Sequence, residues 1–308
     1  MLYLDLALNN DDLLEENEKK DIKIIRKIKI FIRKHIIKIF DCEIDGKNVL
    51  VLSKINKSIY KKLKKIFLIV VTKNVCISDE LYLNQEFKEF LKNEKINILD
   101  GKWLYKYLCL DIIKYIVDNK NEKMEEQEIS ILTNKNDGFI IGIIKELSEN
   151  VHNINILTKD IKKFQKIKDE IYNQNGMILN VSNNYKKSSI RSRIILNFDF
   201  NQKEVEKINI LRKSAIINFE NRIKIEKNDF DGIICNFCYI NFSYRRYEKF
   251  YKRLNHFSKL ALYESFIYKN TYYKNILNEI KIDNVQIEFL EGIRGNIKNI
   301  ELKKLCNI

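Results

Sequence analysis

The chain has 308 residues, a length that fits about two domains of ~150 residues each. Its hydrophobic share of 45% excludes a disordered chain, and its 8 glycines and lack of proline exclude collagen-like and linker-like classes. No apolar run approaches the ~20 residues of a membrane-spanning helix, and the first residues lack the pattern of a secretory signal. We therefore expect a cytoplasmic protein.

The chain is basic, with 56 Lys and Arg against 42 Asp and Glu and a net charge of +14. Such a charge is compatible with binding to nucleic acid or to an anionic membrane surface. Nearly all of the basic residues are Lys, and Ile and Asn are also frequent, which is typical of drift in an AT-rich coding sequence. We favour drift as the source of the charge and expect no specific nucleic-acid partner.

The first 40 residues combine an acidic start with a basic amphipathic helix. Residues 1–18 carry six acids and no base, whereas residues 19–40 carry nine bases and one acid. The predicted helix over residues 19–40 has one apolar stripe, formed by Ile25, Ile28, Ile32, Ile36 and Ile39. This stripe packs on the rest of the protein, or it binds an anionic membrane surface or a protein partner, or the basic face binds nucleic acid. Binding to a membrane surface would make the protein peripheral to a membrane.

Residues 41–118 alternate short apolar runs with helical patterns, which predicts a small α/β domain. The predicted strands cover residues 48–52, 66–71, 75–77 and 96–99. The predicted helices cover residues 55–65, 84–92 and 103–117. Residues 119–127 are charged and have no apolar period, so they are the predicted linker to the next domain.

Residues 128–242 predict an open, doubly wound parallel sheet, since each apolar strand leads to the next through a short helix or loop. The predicted strands cover residues 128–133, 153–158, 177–181, 194–199, 214–219 and 232–242. The predicted helices cover residues 139–150, 160–173, 186–192 and 202–209. The fold class is therefore α/β, with a small first domain, a Rossmann-like second domain and a C-terminal tail over residues 243–308.

The tail begins with a predicted aromatic-rich helix over residues 244–269. Its stripe is typical of a helix that docks against another domain, although its arginines and aromatic rings also fit stacking on nucleobases. Residues 276–308 predict a small closing element with turns at Gly292 and Gly295.

The six cysteines are scattered, which favours free thiols in a reducing compartment. Cys235 and Cys238 form a CxxC pair inside the predicted strand 232–242, where residues three apart should point to opposite faces. The three histidines, His35, His152 and His256, lie far apart in the sequence. We therefore predict neither a redox centre nor a metal site.

The order of these elements resembles the shikimate dehydrogenase and glutamyl-tRNA reductase group. In that group a small α/β substrate domain precedes a Rossmann domain, and a C-terminal helix packs back on it. The resemblance covers about two thirds of the chain by layout. It implies a cofactor of the NAD(P) type held at the first strand-to-helix turn and at the end of the second strand.

The glycine loop of that turn is degenerate. The fingerprint G-x-G-x-x-G/A lets the backbone approach a pyrophosphate, but residues 133–142 retain only Gly138 and Gly142. Asn134 and Asn136 can adopt the left-handed backbone that such a turn needs, and the helix starting near Gly138 offers free N–H groups to an anion.

The end of the second strand predicts the choice of cofactor. NAD binders usually place an acid there, whereas this strand ends Thr158-Lys159, which resembles the NADP-favouring pattern of the group. Asp160 is interpreted as the cap of the next helix. The predicted cofactor-binding residues are Thr133, Asn134, Asn136, Gly138, Thr158 and Lys159.

The first domain contains no recognisable catalytic motif. The shikimate-type group uses a Lys and an Asp in a proline-containing loop that a chain without proline cannot form as usual. Glutamyl-tRNA reductases use a nucleophilic cysteine, for which the resemblance offers Cys76 and Cys109. Polar residues at predicted strand ends are the candidates for a substrate cleft, namely Asp79, Glu80, Asp100 and Lys102.

Two functional hypotheses follow from the sequence. In the first, the protein binds a dinucleotide, NADP being the first choice, and is laid out like a dehydrogenase. In the second, it is a non-catalytic Rossmann-like protein that acts through protein contacts or through residues 19–40 at a membrane surface. Cofactor titration separates the two.

Overall fold

A computed structural model of the chain describes residues 2–6, 39–44, 47–52, 54–184, 189–225, 230–242, 254, 256–267 and 285–305. The chain forms two compact units. Unit 1 comprises Met1–Trp103 and Ser243–Asn270, and unit 2 comprises Leu104–Phe242 and Thr271–Ile308. Residues 104–118, grouped above with the first domain, and the predicted linker 119–127 therefore belong to unit 2. The α/β fold class is confirmed.

Unit 1 is built on a five-stranded sheet in the order β2-β3-β1-β4-β5. Its strands are β1 (Leu2–Leu6), β2 (Ile39–Ile44), β3 (Lys47–Leu52), β4 (Asn74–Ile77) and β5 (Asn97–Leu99). Strand β1 pairs in parallel with β3 and β4, and only β2 runs antiparallel to its neighbour. The central strand is thus Leu2–Leu6, which is fully buried. The sequence pattern predicted only an acidic start for these residues, and the strand is therefore a correction.

The helices of unit 1 are α1 (Lys57–Val70), α2 (Asp79–Leu83) and α3 (Gln85–Asn93). Helix α1 buries Ile59, Leu63 and Phe67 at a spacing of four residues against the sheet. The strand predicted over residues 66–71 is wrong, because Phe67 continues this helical stripe and α1 runs on to Val70. The basic helix predicted over residues 19–40 lies outside the described residues, except that 39–40 open β2.

Unit 2 is built on an eight-stranded sheet in the order β15-β14-β13-β12-β10-β6-β7-β8. Its main strands are β6 (Glu128–Leu132), β7 (Asn153–Leu157), β8 (Asn180–Ser182), β10 (Ile194–Asn197), β12 (Ala215–Asn218) and β13 (Ile233–Phe242). These six are parallel and, counted along the chain, lie in the order 3-2-1-4-5-6, which is the Rossmann order. The hairpin formed by β14 (Val285–Gly292) and β15 (Gly295–Ile297) pairs antiparallel with β13 and so adds two strands to the sheet.

The helices of unit 2 precede, connect or follow these strands. The helices are α4 (Lys102–Tyr107), which begins in unit 1, α5 (Cys109–Lys120), α6 (Gly138–Ser148), α7 (Gln165–Asn175), α8 (Gln202–Val205) and α10 (Asn299–Lys304). The helix predicted over 103–117 is therefore two helices. The helix predicted over 186–192 is contradicted at Ser189–Ile190, which form strand β9 and pair with β11 (Asn209–Ile210). The predicted turns at Gly292 and Gly295 are confirmed by the hairpin.

The tail contributes helix α9 (Lys259–Ile267), which packs on β4 and β5 of unit 1. The single long helix predicted over 244–269 is wrong at its described part, since α9 begins only at Lys259. The carbonyl of His256 accepts a hydrogen bond from the Asp79 backbone N–H at 2.9 Å, so this carbonyl points out of the helical path. No helix in the described part of the chain is long and apolar enough to cross a bilayer.

Candidate functional site

The order of the parallel strands in unit 2 reverses between β6 and β10. Leu132, the last residue of β6, lies in register with Asn197 of β10 and with Leu157 of β7. Their following loops therefore meet at one edge of the sheet. In open α/β sheets this reversal is where ligands bind.

The loop after β6 is tied down by polar contacts of its own chain. The Asn134 backbone N–H donates to both carboxylate oxygens of Asp199, at 2.9 and 3.0 Å. The side-chain oxygen of Asn134 accepts the Lys159 N–H at 2.9 Å. The buried hydroxyl of Thr133 accepts the Lys135 N–H at 3.1 Å. The structure thus brings together three of the predicted cofactor residues, Thr133, Asn134 and Lys159.

The N-terminus of α6 is capped by a carboxylate. Oδ1 of Asp137 accepts the Ile140 N–H at 3.0 Å, in the place where a dinucleotide-binding helix would offer N–H groups to a phosphate. A methyl group built on Gly138 would meet no atom within 4 Å, so the space beside this end of the helix is open. Neither Asn134 nor Asn136 adopts a left-handed backbone, which corrects that expectation.

Three lysines line the same edge, and each contacts a glutamate. Lys106 and Lys135 both place Nζ 2.7 Å from Oε1 of Glu220. Lys159 places Nζ 2.5 Å from Oε1 of Glu204. The side chains of Lys135 and Lys159 are 49% and 62% exposed, so both can swing toward a ligand.

The pKa values at this edge follow from burial and pairing. Burial raises the pKa of Asp199 and outweighs the opposing Asn134 N–H and the charge of Lys135. Burial also acts on Glu220, but hydrogen bonds from Lys106 and Lys135 bring its pKa below the usual value. The hydrogen bond to Glu220 raises the pKa of Lys135. At neutral pH Lys135 is therefore charged and Glu220 is ionised.

The other predicted cofactor residues lie around this edge with different roles. Thr158 is fully buried, and its hydroxyl accepts the Asp160 N–H at 3.3 Å. Asp160 caps the turn that follows by accepting the Lys162 N–H, as predicted. Asn136 donates from its side chain to the Lys163 carbonyl at 3.3 Å.

Sequence reasoning missed four charged residues of this edge: Lys106, Asp199, Glu204 and Glu220. Asp199 and Glu220 stand shortly after the fourth and fifth parallel strands. The rule that ligands gather at strand ends would have found both, had it been applied beyond the first two strands.

Unit 1 has its own reversal of strand order, between β1 and β4. Asp5 at the end of β1 is only 2% exposed, and its Oδ1 accepts the Leu6 N–H at 2.8 Å. Burial raises the pKa of Asp5 to about 6, against the opposing charge of His256 and the Leu6 N–H. Asp79 follows β4, and burial raises its pKa as well. Asp5 and His256 were missed because neither stood in a recognisable pattern.

The predicted cleft residues of unit 1 lie beyond β4 and β5. Asp79 and Glu80 form the first turn of α2. Asp100 accepts a hydrogen bond from the Lys102 N–H at 3.1 Å, contacts Lys102 Nζ at 2.9 Å and accepts from the Tyr82 hydroxyl at 3.2 Å. Asp100 thus forms the predicted turn and also carries an ion pair.

The cysteines of the described chain are not poised as nucleophiles. Cys76 and Cys109 are buried, and burial with nearby carboxylates raises both pKa values well above the usual thiol range. Cys235 and Cys238 are both buried. In a regular strand they would point to opposite faces of the sheet, but the register of β13 shifts between Cys235 and Phe237. Burial raises the pKa of Cys235 to about 11. Among the described residues, no three His, Cys, Asp or Glu side chains converge as metal ligands.

No protein-family model matches the sequence, and no curated protein matches it either. Among solved structures, the chain is similar to L-tryptophan dehydrogenase from Nostoc punctiforme, with 10% identity over 99% of this chain and 86% of that one and a TM-score of 0.34. Ornithine transcarbamoylase from Giardia lamblia is 10% identical over 88% and 86% of the two chains, with a TM-score of 0.32.

Shikimate 5-dehydrogenase from Listeria monocytogenes, solved in complex with shikimate and NAD, is 9% identical over 87% of this chain and 95% of that one. Its TM-score is 0.29. Dehydrogenases and carbamoyltransferases thus occur side by side among these structures. The Rossmann-like assignment of unit 2 therefore stands on its strand order.

Proposed function

We propose that unit 2 binds a phosphate-bearing dinucleotide, with NADP as the first candidate, where β6 and β10 diverge. The observation that carries the proposal is the meeting of the open helix end at Gly138 with two exposed lysines, Lys135 and Lys159, at the reversal of a Rossmann-ordered sheet. The chemistry of this set fits a ligand with separated phosphate groups.

Lys159 supports NADP over NAD. It is the second residue after β7, near the position where an acid would accept the ribose hydroxyls of NAD. The first acid beyond the strand, Asp160, is engaged as a cap through Lys162 N–H. The cation at this strand end favours a 2′-phosphate, which would compete with Glu204 for Lys159.

The ion pairs of Lys135 and Lys159 imply a modest affinity for the dinucleotide. A phosphate that recruits Lys135 and Lys159 must draw them away from Glu220 and Glu204, which would then lose their partners. Asp137 also places a negative charge on the helix end that the phosphate would approach. We therefore expect weaker binding than an intact glycine loop would give.

The proposal is tested by measuring nucleotide binding to variants that differ in charge around the site. NADPH and NADH are titrated against the full chain, and binding is followed by nucleotide fluorescence and by the melting temperature. Asp137→Ser keeps the helix cap but removes its charge, so it should tighten NADPH binding about two- to fivefold. Lys159→Met should weaken NADPH more than NADH, and Lys135→Met should weaken both.

The control is Lys145→Met, which removes a 41% exposed, glutamate-paired lysine from the last turn of α6, at the opposite end of that helix from Gly138. It should leave both affinities unchanged. The proposal fails if millimolar NADPH produces no shift in melting temperature, or if Asp137→Ser and Lys159→Met bind NADPH as the wild type does.

The alternative is a non-catalytic Rossmann-like protein, and one observation favours it. Asp137 and Asp199 already accept N–H groups that a pyrophosphate would otherwise engage. Failure of the titration would select this alternative. The attachment of residues 19–40 to a membrane surface or a protein partner stays a prediction, since they fall almost entirely outside the described residues.

A further inference from the structure

The end of α1 carries an apolar surface that the fold of unit 1 does not bury. Leu68, Ile69, Val70 and Val71 are 71%, 79%, 47% and 80% exposed. The other strongly exposed large apolar side chains of the described chain stand singly in the sequence. We call residues 68–71 the α1 tip. A run of exposed apolar residues of this kind marks an interaction surface.

The tip is not a loosely placed end of the helix. One turn earlier, Ile59, Leu63 and Phe67 fix α1 to the core of unit 1. Since Phe67 is buried and the next four residues are exposed, the apolar side chains surround the helix end on every side but one. A helix end of this shape fits insertion end-on into an apolar medium rather than packing along one face.

The residue that ends the helix strengthens this interpretation. Val71 caps α1 with a left-handed backbone at φ 50°, which a β-branched residue adopts only at a cost. Helix α5 ends in the same conformation at Asn121, a residue that tolerates it. Stability alone would favour Asn or Gly at position 71, whereas Val71 extends the exposed apolar surface of the tip.

The charges next to the tip select its partner. Helix α1 contains five lysines and no acid, namely Lys57, Lys61, Lys62, Lys64 and Lys65. Lys65 lies one turn before Ile69 on the same side of the helix, about 6 Å away along its axis. Lys64 has the same relation to Leu68, but its ammonium group contacts Glu94 at 2.9 Å, so the attraction to anionic headgroups depends on the other four lysines of α1. With the tip placed ~5–10 Å into a bilayer, the ammonium groups would reach the headgroups.

We propose that the α1 tip inserts into anionic lipid surfaces, with the lysines of α1 contacting the headgroups. Aliphatic side chains bordered by cations are complementary to the boundary between acyl chains and anionic headgroups. This surface is distinct from residues 19–40 and does not depend on nucleotide binding by unit 2.

The test is co-sedimentation of the full chain with phosphatidylcholine vesicles, with and without phosphatidylserine. We expect binding only to the anionic vesicles, weakening as salt rises. Leu68→Gln combined with Ile69→Gln keeps helix propensity and should lower the partition constant about tenfold or more. Lys61→Gln with Lys65→Gln should lower it on anionic vesicles as well.

Two variants keep the test independent of folding. Val71→Asn should raise the melting temperature, because Asn accepts the left-handed backbone, while it lowers vesicle binding. Leu83→Gln changes a leucine that is 77% exposed at the end of α2, and it should bind as the wild type does.

The proposal is overturned if the full chain ignores anionic vesicles at low salt, or if the tip variants bind as well as the wild type. In the second case another segment carries the binding. It is equally overturned if Leu68→Gln with Ile69→Gln converts a dimer into a monomer in size-exclusion chromatography without altering vesicle binding, since a second copy would then cover the tip.

Discussion

Carboxylates have different surroundings in the two sheets, at the edge of each sheet where the parallel strands end. In unit 2, Glu220 and Glu204 lie within 2.7 Å of lysine ammonium groups. In unit 1, Asp5 is 2% exposed and its pKa is raised to about 6, because burial outweighs the nearby charge of His256. Apart from Asp199, whose pKa burial raises, the first edge stabilises charge by pairing. The second edge has the ion pair of Asp100 with Lys102, but it also retains Asp5, a carboxylate in a place that resists ionisation.

This difference decides which chemistry each edge suits. Exposed lysines with ionised partners can exchange a glutamate for a phosphate, so the edge of unit 2 fits an anionic ligand. A carboxyl group with a pKa near 6 gains or loses a proton close to neutral pH. The edge of unit 1 therefore suits a process that is coupled to the gain or loss of a proton. The two edges should therefore respond oppositely to acidification and to substitution.

The largest effect is expected at Gly101, on which Leu260 and Ala261 of α9 pack within unit 1. Its φ is +81°, and an added Cβ would lie 2.6 Å from the Leu260 Cβ and 3.0 Å from the Ala261 nitrogen. Gly101→Ala should reduce the free energy of unfolding by about 2–5 kcal/mol, through the backbone cost and the clash together. Fluorescence of Trp103, the only tryptophan, reports the unfolding of unit 1.

The control is Gly176→Ala in unit 2, where φ is +71° but an added Cβ meets nothing within 4 Å. It should cost only the backbone conformation, about 1–2 kcal/mol. If the two substitutions lowered the free energy of unfolding equally, α9 would not be in close contact with Gly101.

The next largest effect is the dependence of the free energy of unfolding on pH, which we expect Asp5 to cause in unit 1. A carboxyl group whose folded pKa is raised from 3.8 to about 6 lowers stability above pH 6, and this penalty disappears as the pH falls to 4. Asp5→Asn keeps an oxygen for the Leu6 N–H. It should therefore stabilise unit 1 on the order of 3 kcal/mol at pH 7 and have no effect at pH 4.

Denaturant unfolding followed by Trp103 fluorescence at pH 4 to 7 measures this difference. Since Asp79 also has a raised pKa, the wild type alone would not isolate Asp5, and the difference between wild type and variant is the quantity to compare. A gain at pH 7 that is equally large at pH 4 would mean that the effect is steric rather than electrostatic.

A smaller effect with the opposite sign is expected at Glu220. Its folded pKa is lowered, so its ion pairs contribute stability above pH 4.5 that is lost as the pH falls further. Glu220→Gln should destabilise unit 2 by about 0.5–1.5 kcal/mol at pH 7, because exposed pairs with Lys106 and Lys135 are weak. Amide hydrogen exchange in β12 would measure the loss, and added salt should reduce it.

The sequence predicted most of the parallel sheet of unit 2, because strands such as β6, β10 and β12 are buried, β-branched runs. The edge strand β8 has only three residues, none of them buried, and it overlaps the predicted strand only at residues 180–181. The same cue failed at residues 66–71, whose apolar run continues α1 and leaves four side chains exposed. Periodicity alone cannot separate a short apolar run on a strand from one at a helix end. The central strand Leu2–Leu6 was missed because the acidic residues that follow it dominated the interpretation of the first 18 positions.

The sites were predicted less completely, for a physical reason. Asn134 and Lys159 are adjacent to their strands in the sequence, so the strand-end rule finds them. His256 reaches Asp79 only through the return of the tail, at a separation of 177 positions in the chain. Contacts of this kind depend on tertiary packing, which local patterns do not record.

The smallest effect tests whether the degenerate turn needs its glycine. Gly138 opens α6 without a left-handed backbone, and an added Cβ would meet no atom within 4 Å. Gly138→Ala should therefore leave stability unchanged or raise it by up to about 1 kcal/mol, since alanine restricts the unfolded chain and favours the helix. If a phosphate approaches this backbone, the added methyl should weaken NADPH binding even though the protein is no less stable. Calorimetry beside an NADPH titration separates the two quantities, and a variant that binds NADPH unchanged would place the ligand away from this turn.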